Sequence, residues 1–382
     1  MRFIHTADWH LGRQFHNVSL IEDQRYLLGR LVAAAADADV DAFVIAGDVF
    51  DRAVPSPEAV ALLDDCLAEL VLGHGIPVIM IAGNHDSPRR LGFASGLLAR
   101  AGLHVMANCE APPQTVVLSD RDGPVHFIGL PYAEPAVVRE ASGEADLATQ
   151  SRAMHWLTGA ARAALPPGER SVCVAHCFVA GGAESESERP LTVGGAAAVP
   201  PECFAGFSYT ALGHLHRPQA IGERIHYSGS LLKYSFSEIS HRKSAHLVEL
   251  DGAGIPSVEY IPLTPQRDLR LIEGELAELL SGPAAGEQAD DFLLVRLTDA
   301  HELLDPMGRL REIYPNVLHI ERPALARAGA DPLRAHRSRG GDPELFAAFF
   351  EQVTGTALSD AQAAAFREVY DELLGTTREG QA

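Results

Sequence analysis

The feature that most limits how this chain can fold is a recurrent one. Apolar runs end abruptly in residues that can hold a metal. PVIMIAGNHD ends in Asn84 and His85, and DAFVIAGDVFD in Asp48. RFIHTADWH reaches Asp8 and His10, VCVAHC contains His176, and YTALGHLH contains His214 and His216. Each run is short and apolar and reads as a buried strand. Helical patterns separate the first three. Leu27, Leu28, Leu31 and Val32 predict a helix over residues 19–38, and Pro57 opens a second through EAVALLDDCLAELVL to Leu72. Strand, helix, strand, helix, strand predicts an α/β layer with its sheet buried between helices. Later short strands, among them RIHYSGS and SAHLVEL, predict a second, more antiparallel sheet.

Open α/β sheets gather functional residues at the carboxyl ends of their strands. Residues more than 200 positions apart can therefore meet at one rim. The donors are carboxylates, imidazoles and one amide oxygen, a mix that suits manganese, iron or zinc better than calcium or a structural zinc. So many donors exceed the needs of one ion. Two ions about 3.5–4 Å apart, bridged by one carboxylate, account for them. Gly47, Gly83 and Gly213 each precede a candidate ligand, where a residue without Cβ permits a sharp turn and close backbone approach.

Charge bears on the substrate. Lys+Arg 31 against Asp+Glu 51 gives a formal net charge of −20, so no bulk field draws a polyanion to the chain. A nucleic-acid substrate would need metals, a local basic patch or a partner. The five cysteines are scattered and form no CxxC pair, which argues against a disulfide framework and a structural zinc site. Cys173 and Cys177 flank His176 and read as buried small apolar residues. Charged residues break up the opening MRFIHTADWH, unlike a secretory leader, and no apolar run is long enough to span a membrane. The expected location is a reducing cytoplasm, with nucleoid association when on DNA.

DWH, GDVFD, GNHD, the lone histidine after VCVA, and GHLH stand in the order found in the calcineurin-like metallophosphoesterases, which this chain resembles. MRFIHTADWHLGR, VIAGDVFDRAVPS and ALGHLHRPQAIG extend the resemblance to those members that serve as DNA nuclease subunits beside an SMC-like ATPase. The resemblance implies a four-layer α/β/β/α sandwich, a small αβ capping domain and a C-terminal helical segment that binds the partner. It implies two manganese ions, with magnesium as a substitute. One would be held by Asp8, His10, Asp48 and His216, the other by Asp48, Asn84, His176 and His214, with Asp48 as the bridge. His85 would face the scissile phosphate. Its imidazole stabilises charge or protonates the leaving oxygen, and Asp51 is expected to hold that ring by a charge-assisted hydrogen bond. Asp86 is expected beside the ligands rather than among them. The implied reaction is phosphodiester hydrolysis in DNA, as an exonuclease on duplex ends and an endonuclease on single strands or hairpins, in repair, recombination and replication. Implied partners are DNA, the ATPase in a heterotetramer, and a second copy of the chain through helices near residues 88–101.

Other readings are less tied to the motifs. Arg13, Arg89 and Arg90 follow motif turns and are candidate phosphate contacts, as are Ser230 and Lys233 in YSGSLLKYSF. GGAESESERP, residues 181–190, reads as a mobile acidic loop. Histidines without a strand-end setting, His5 and His246 among them, read as packing residues. Residues 1–264 are expected to form the nuclease domain, 265–322 the capping domain, 323–343 a linker, and 344–376 a helix pair. Its two stripes are Leu345, Phe346, Phe349, Phe350, Val353 and Phe366, Val369, Tyr370, Leu373, Leu374. No GxxxxGK[ST] loop is present, so any ATP dependence is expected from the partner. Two other functions fit the same metal core: a phosphodiesterase for small substrates, and a non-catalytic scaffold. The capping module and helix pair argue against the first, and the full ligand set against the second.

Overall fold

Strand β1 (Arg2–Thr6) carries Phe3 and Ile4 on opposite faces, and both are fully buried. Its sheet is therefore covered on both sides. From edge to edge that sheet runs β14 (Pro256–Pro262), β13 (Ser244–Leu250), β1, β4 (Ala42–Ile45), β5 (Val78–Ile81) and β6 (Leu103–Met106). β1, β4, β5 and β6 are parallel, and β13 joins antiparallel to β1. A second sheet runs β11 (Gln219–Ile221), β12 (Ile225–Tyr227), β10 (Tyr209–Gly213), β9 (Arg170–His176), β8 (Gly123–Leu130) and β7 (Thr115–Asp120). A small hairpin, β2 (Gln14–Phe15) with β3 (Val18–Ser19), follows β1. The computed structural model describes residues 1–188, 198–323, 346–347, 350 and 356–379. The chain divides into two units, Met1–Arg270 and Leu271–Ala382.

The sheets of the first unit pack face to face. Phe3, Val44 and Ile79 of the first meet Phe127, Val172, Val174 and Tyr209 of the second in one buried cluster. Ring centroids of Phe3 lie 5.6 Å from Phe127 and 5.7 Å from Tyr209, both edge to face. Helices α1 (Ile21–Asp37) and α2 (Pro57–Ala68) bury apolar stripes, Leu27, Leu28 and Leu31 on one and Ala59, Leu62 and Leu63 on the other. Ser56 caps α2 by accepting from Ala59 N, with Pro57 at the first helical position. On the far side, Met154, Leu157 and Ala161 of a helix at Gln150–Ala164 pack on Ile128, Cys173 and Leu212. The layering is α/β/β/α.

The second sheet corrects one expectation. β8, β9, β10 and β12 are parallel, and only the edges β7 and β11 are antiparallel. SAHLVEL does not belong to it; as β13 it closes the free edge of β1, with His246 opposite His5. Alternation marks a strand as half-covered, but its pairing partner is a tertiary fact that period alone does not carry.

Strand β15 (Leu269–Gly274), which begins two residues before the second unit, forms a three-stranded sheet with β16 (Phe292–Leu297) and β17 (Val317–Glu321). Helices Leu276–Leu279 and Pro306–Arg311 accompany it, with Leu276, Leu293, Val295 and Leu310 in the core. Of the expected linker, residues 324–343 lie outside the described residues, as do Leu345, Phe349 and Val353 of the first stripe and the side chains of Leu373 and Leu374 of the second. The last helix spans Asp360–Glu379. Phe346 stacks on its Phe366, centroids 3.9 Å apart. Phe127 fills the space between the two large sheets, so Phe127→Ala should lower the unfolding free energy of the first unit by about 3–5 kcal/mol in chemical denaturation. A loss well under about 1 kcal/mol would show that the sheets collapse around the cavity.

Candidate metal centre

The chain leaves β1 and β4 as paired loops. Asp8 N donates to Gly47 O (3.0 Å) and His10 N to Asp48 O (2.9 Å). To aim their side chains across the rim, Asp8, His10 and Asp48 take positive φ values of 52°, 46° and 48°, and His214 takes 108°. Such backbone costs a non-glycine residue about 1–3 kcal/mol and clusters at functional sites. The strand ends also touch. A Cβ on Gly83 would lie 2.1 Å from Asp48 Oδ1, and one on Gly213 would lie 2.0 Å from Ala46 O. Asp86 ties the β4 and β5 loops together, its carboxylate accepting from Val49 N (3.1 Å), Phe50 N (2.9 Å) and Gly83 N (2.8 Å). It sits beside the candidate ligands, not among them.

The expected ligands meet at this rim. Asp48 Oδ2 stands 3.6 Å from His10 Nε2 and 3.5 Å from His176 Nε2. Its Oδ1 accepts from His85 N at 2.8 Å. His10 Nε2 and His216 Nε2 are 3.1 Å apart. Asn84 Oδ1 lies 2.9 Å from His176 Nε2 and 3.2 Å from His214 Nδ1. Asp8 accepts His214 N on both oxygens, at 2.9 and 3.1 Å, and approaches His176 Nδ1 at 3.9 Å. Ligand atoms of Asp8, Asp48 and His176 fall within 4.8 Å of one another, as do those of His10, Asp51 and His85. All but the half-buried Asn84, His85 and Asp51 are buried.

Proton bookkeeping tests whether a cation fits. His176 Nδ1 is 2.9 Å from Ala46 O, which only accepts, so Nδ1 carries the hydrogen. In the neutral ring the Nε2 lone pair then faces the lone pairs of Asn84 Oδ1. Asn84 Nδ2, its only donor group, is buried without a partner among the described residues. Acceptors facing acceptors are relieved by positive charge between them, a proton or a metal ion, or by a turn of the Asn84 amide that brings Nδ2 to the ring. The electrostatic surroundings of these groups agree. Burial favours neutral His176, but Asp48 and Asp8 outweigh it and push the ring up to about 9. Burial opposes charge on Asp48, yet His176 and His10 hold it well below the usual carboxylate range. Burial raises Asp8 to about 7 and lowers His214 to about 3. A divalent cation would reverse the cost of burying these carboxylates and take the neutral imidazoles as ligands.

The calcineurin-like phosphoesterase family matches residues 1–135, and the type 5 capsule protein repressor C-terminal domain matches 265–354. The curated D subunit of the nuclease SbcCD from Staphylococcus epidermidis is 30% identical over 381 residues, covering 100% of each chain. The chain belongs to the SbcD family. Like that family it is a nuclease, and as a metallophosphoesterase it is a phosphodiester hydrolase that uses divalent metal. Two solved structures are more distant. A Thermus thermophilus protein is 14% identical, TM-score 0.36, over 68% of this chain and 98% of its own. A dimetal phosphatase from Danio rerio is 14% identical, TM-score 0.41, over 69% and 99%.

Within this family member, several side chains depart from expectation. Asp51 holds the His85 ring through its backbone carbonyl, 2.8 Å from Nδ1, not through its carboxylate. The carboxylate instead accepts from Arg13 (2.8 Å) and stands 3.7 Å from His10 Nδ1. Arg13 also lies over the Tyr234 ring, 5.4 Å from its centroid. Arg89 is exposed, and Arg90 donates to Ala53 O (2.8 Å). Ser230 is fully buried and bonds Leu232 O and Lys243, which removes it from any strand of DNA. Lys233 pairs with Asp268 at 2.9 Å. Cys173 and Cys177 are buried in the apolar cluster, where burial pushes both thiols up.

The acidic loop is not remote from the centre. Its described part, residues 181–188, brings Ser187 to His216 Nδ1 (2.6 Å) and Glu188 to His216 N (2.7 Å). Gln24 was also missed; its amide nitrogen donates to Trp9 O (3.0 Å), His10 O (2.9 Å) and Tyr234 Oη (3.0 Å), fixing the loop that carries His10. A glutamine on the same helix face as Leu27, Leu28 and Leu31 was the available signal. Gly83→Ala should weaken divalent-metal binding about 10–100-fold with the circular dichroism spectrum unchanged. Wild-type binding in calorimetry would mean the β5 loop shifts freely.

Proposed function

We propose that this chain is the manganese-dependent DNA nuclease subunit of an SbcCD-type complex. It would work as an exonuclease on duplex ends and an endonuclease on single strands and hairpins, in repair, recombination and replication. One ion would be held by Asp8, His10, Asp48 and His216, the other by Asp48, Asn84, His176 and His214. The observation that carries this reading is the position of Asp48 Oδ2, about equally far from imidazoles of two different strands. Bound divalent ions supply Lewis acidity towards the phosphoryl oxygen and lower the pKa of water. The remaining work is done by side chains. The carbonyl of Asp51 only accepts, so His85 Nδ1 carries a hydrogen and Nε2 is the atom that gives or takes a proton at the leaving oxygen. Arg13, Arg89 and Arg90 are the phosphate contacts of this reading.

The same reading gives residues 1–264 the nuclease role, 265–322 the capping role, 323–343 a linker, and 344–376 a helix pair that grips the coiled coil of SbcC, an SMC-like ATPase. Its support is the name of the Staphylococcus relative, which makes that protein one subunit of SbcCD, and the stacking of Phe346 on Phe366. A second copy of the chain completes a heterotetramer. Leu72, Phe93 and Leu97 are 76%, 80% and 74% exposed, and a groove of about 290 Å³ lies among Val60, Leu67, Leu72 and Leu98. Exposed apolar surface of this kind marks a protein interface. No helix among the described residues is long and apolar enough to cross a membrane, and the proposed location is the cytoplasm.

His85→Ala should keep both manganese ions and lose about 10²–10⁴-fold in cleavage of a labelled linear duplex. Full activity with full metal content would refute the role, and cleavage of a generic phosphodiester but not DNA would favour a small-substrate enzyme. Phe93→Asp should halve the mass of the sedimenting particle, from two copies of the chain to one. An unchanged mass would place the second copy elsewhere.

A further inference from the structure

We infer that Glu238, acting through Ser187, is a positioning group for His216, fixing its ring with Nδ1 protonated and Nε2 turned to the metal. This rests on the reading of His216 as a ligand. A count of hydrogens sets the direction of each bond. Lys243 Nζ has three, and three acceptors stand around it: Glu238 Oε2 (2.5 Å), His216 O (2.7 Å) and Ser230 Oγ (2.8 Å). Lys243 and Glu238 are both buried, and the 2.5 Å contact between them pairs an ammonium with a carboxylate. An ionised carboxylate only accepts. Ser187 Oγ bonds Glu238 Oε1, so the single hydroxyl hydrogen goes there. The same oxygen is 2.6 Å from His216 Nδ1 and has nothing left to donate. Nδ1 must therefore donate to Ser187, and in the neutral ring Nε2 is a bare lone pair. That atom is the one facing His10 Nε2 at 3.1 Å.

The chain from Lys243 through Glu238 and Ser187 to His216 thus has one consistent direction. The backbone is pinned as well: Glu188 accepts His216 N and Lys243 donates to His216 O. Ring orientation and tautomer are then set before any cation arrives, which spares the ordering cost on binding. Ser187 is 29 positions from His216 and 51 from Glu238.

Ser187→Ala removes the relay while leaving the Glu238–Lys243 pair intact, so it tests the chain without unpairing a buried charge. Manganese titration by calorimetry should show one of two sites weakened about 10–100-fold and the other unchanged. Nitrogen-15 spectra of the metal-free protein should show His216 passing from a single Nδ1–H tautomer to a mixture. Ser187→Thr keeps the hydroxyl and should keep the wild-type affinity and tautomer. Wild-type affinity at both sites in Ser187→Ala, or equal losses in Ser187→Ala and Ser187→Thr, would overturn the inference. Wild-type protein that binds no manganese would overturn the metal reading itself, while the tautomer spectrum would still report on Ser187.

Discussion

Two carboxylates and several imidazoles are packed where the ends of two sheets meet, and the cost of burying them governs the rest of the structure. Asp8 and Asp48 are 0% and 2% exposed. Buried charge persists only when it is paired or coordinates a metal. The surroundings are arranged around that demand. His214 N donates to Asp8, His85 N donates to Asp48, and His176 turns its Nε2 towards Asp48. Each contact stabilises the anions in part, and a dication among them would complete the balance.

Backbone strain follows from the same demand. Strands in a parallel sheet end side by side about 4.8 Å apart, and side chains on straight strands would not reach one point. Left-handed turns at Asp8, His10, Asp48 and His214 bend the ends inward, and Gly83 and Gly213 let them touch. The six-stranded sheets supply the rigidity that makes such conformations sustainable. Phe3, Phe127 and Tyr209 lock the two sheets together below the rim. The core thus acts as the stiff frame on which a strained site is held.

Much of this was legible in the residues. Strand ends carrying Asp8, His10, Asp48, Asn84, His176, His214 and His216 are local features, and the rule that parallel strands deliver their carboxyl ends to one rim is enough to gather them. The helix over residues 19–38 and the strands between follow from period alone. What escaped depends on long-range partners. SAHLVEL alternates as an edge strand does, but nothing in it names β1 as its neighbour. Ser187 and Glu188 look solvated in a run of polar residues, yet they are buried because the ring and amide of His216 are there to be satisfied. Asp51 carries the expected contact to His85 through its carbonyl, which every residue has, so its side chain held no information about that bond. Ser230 reads as a surface serine until Lys243 is seen to need a third acceptor.

The central claim is that Asp48 sits between two cations held by ligands from both sheets. An anomalous difference map of crystals grown with manganese tests it most directly. Two peaks are expected about 3.5–4 Å apart, both within bonding distance of the Asp48 carboxylate. One should also touch His10 and His216, and the other Asn84, His176 and His214. A single peak, or peaks that leave Asp48 untouched, would contradict it.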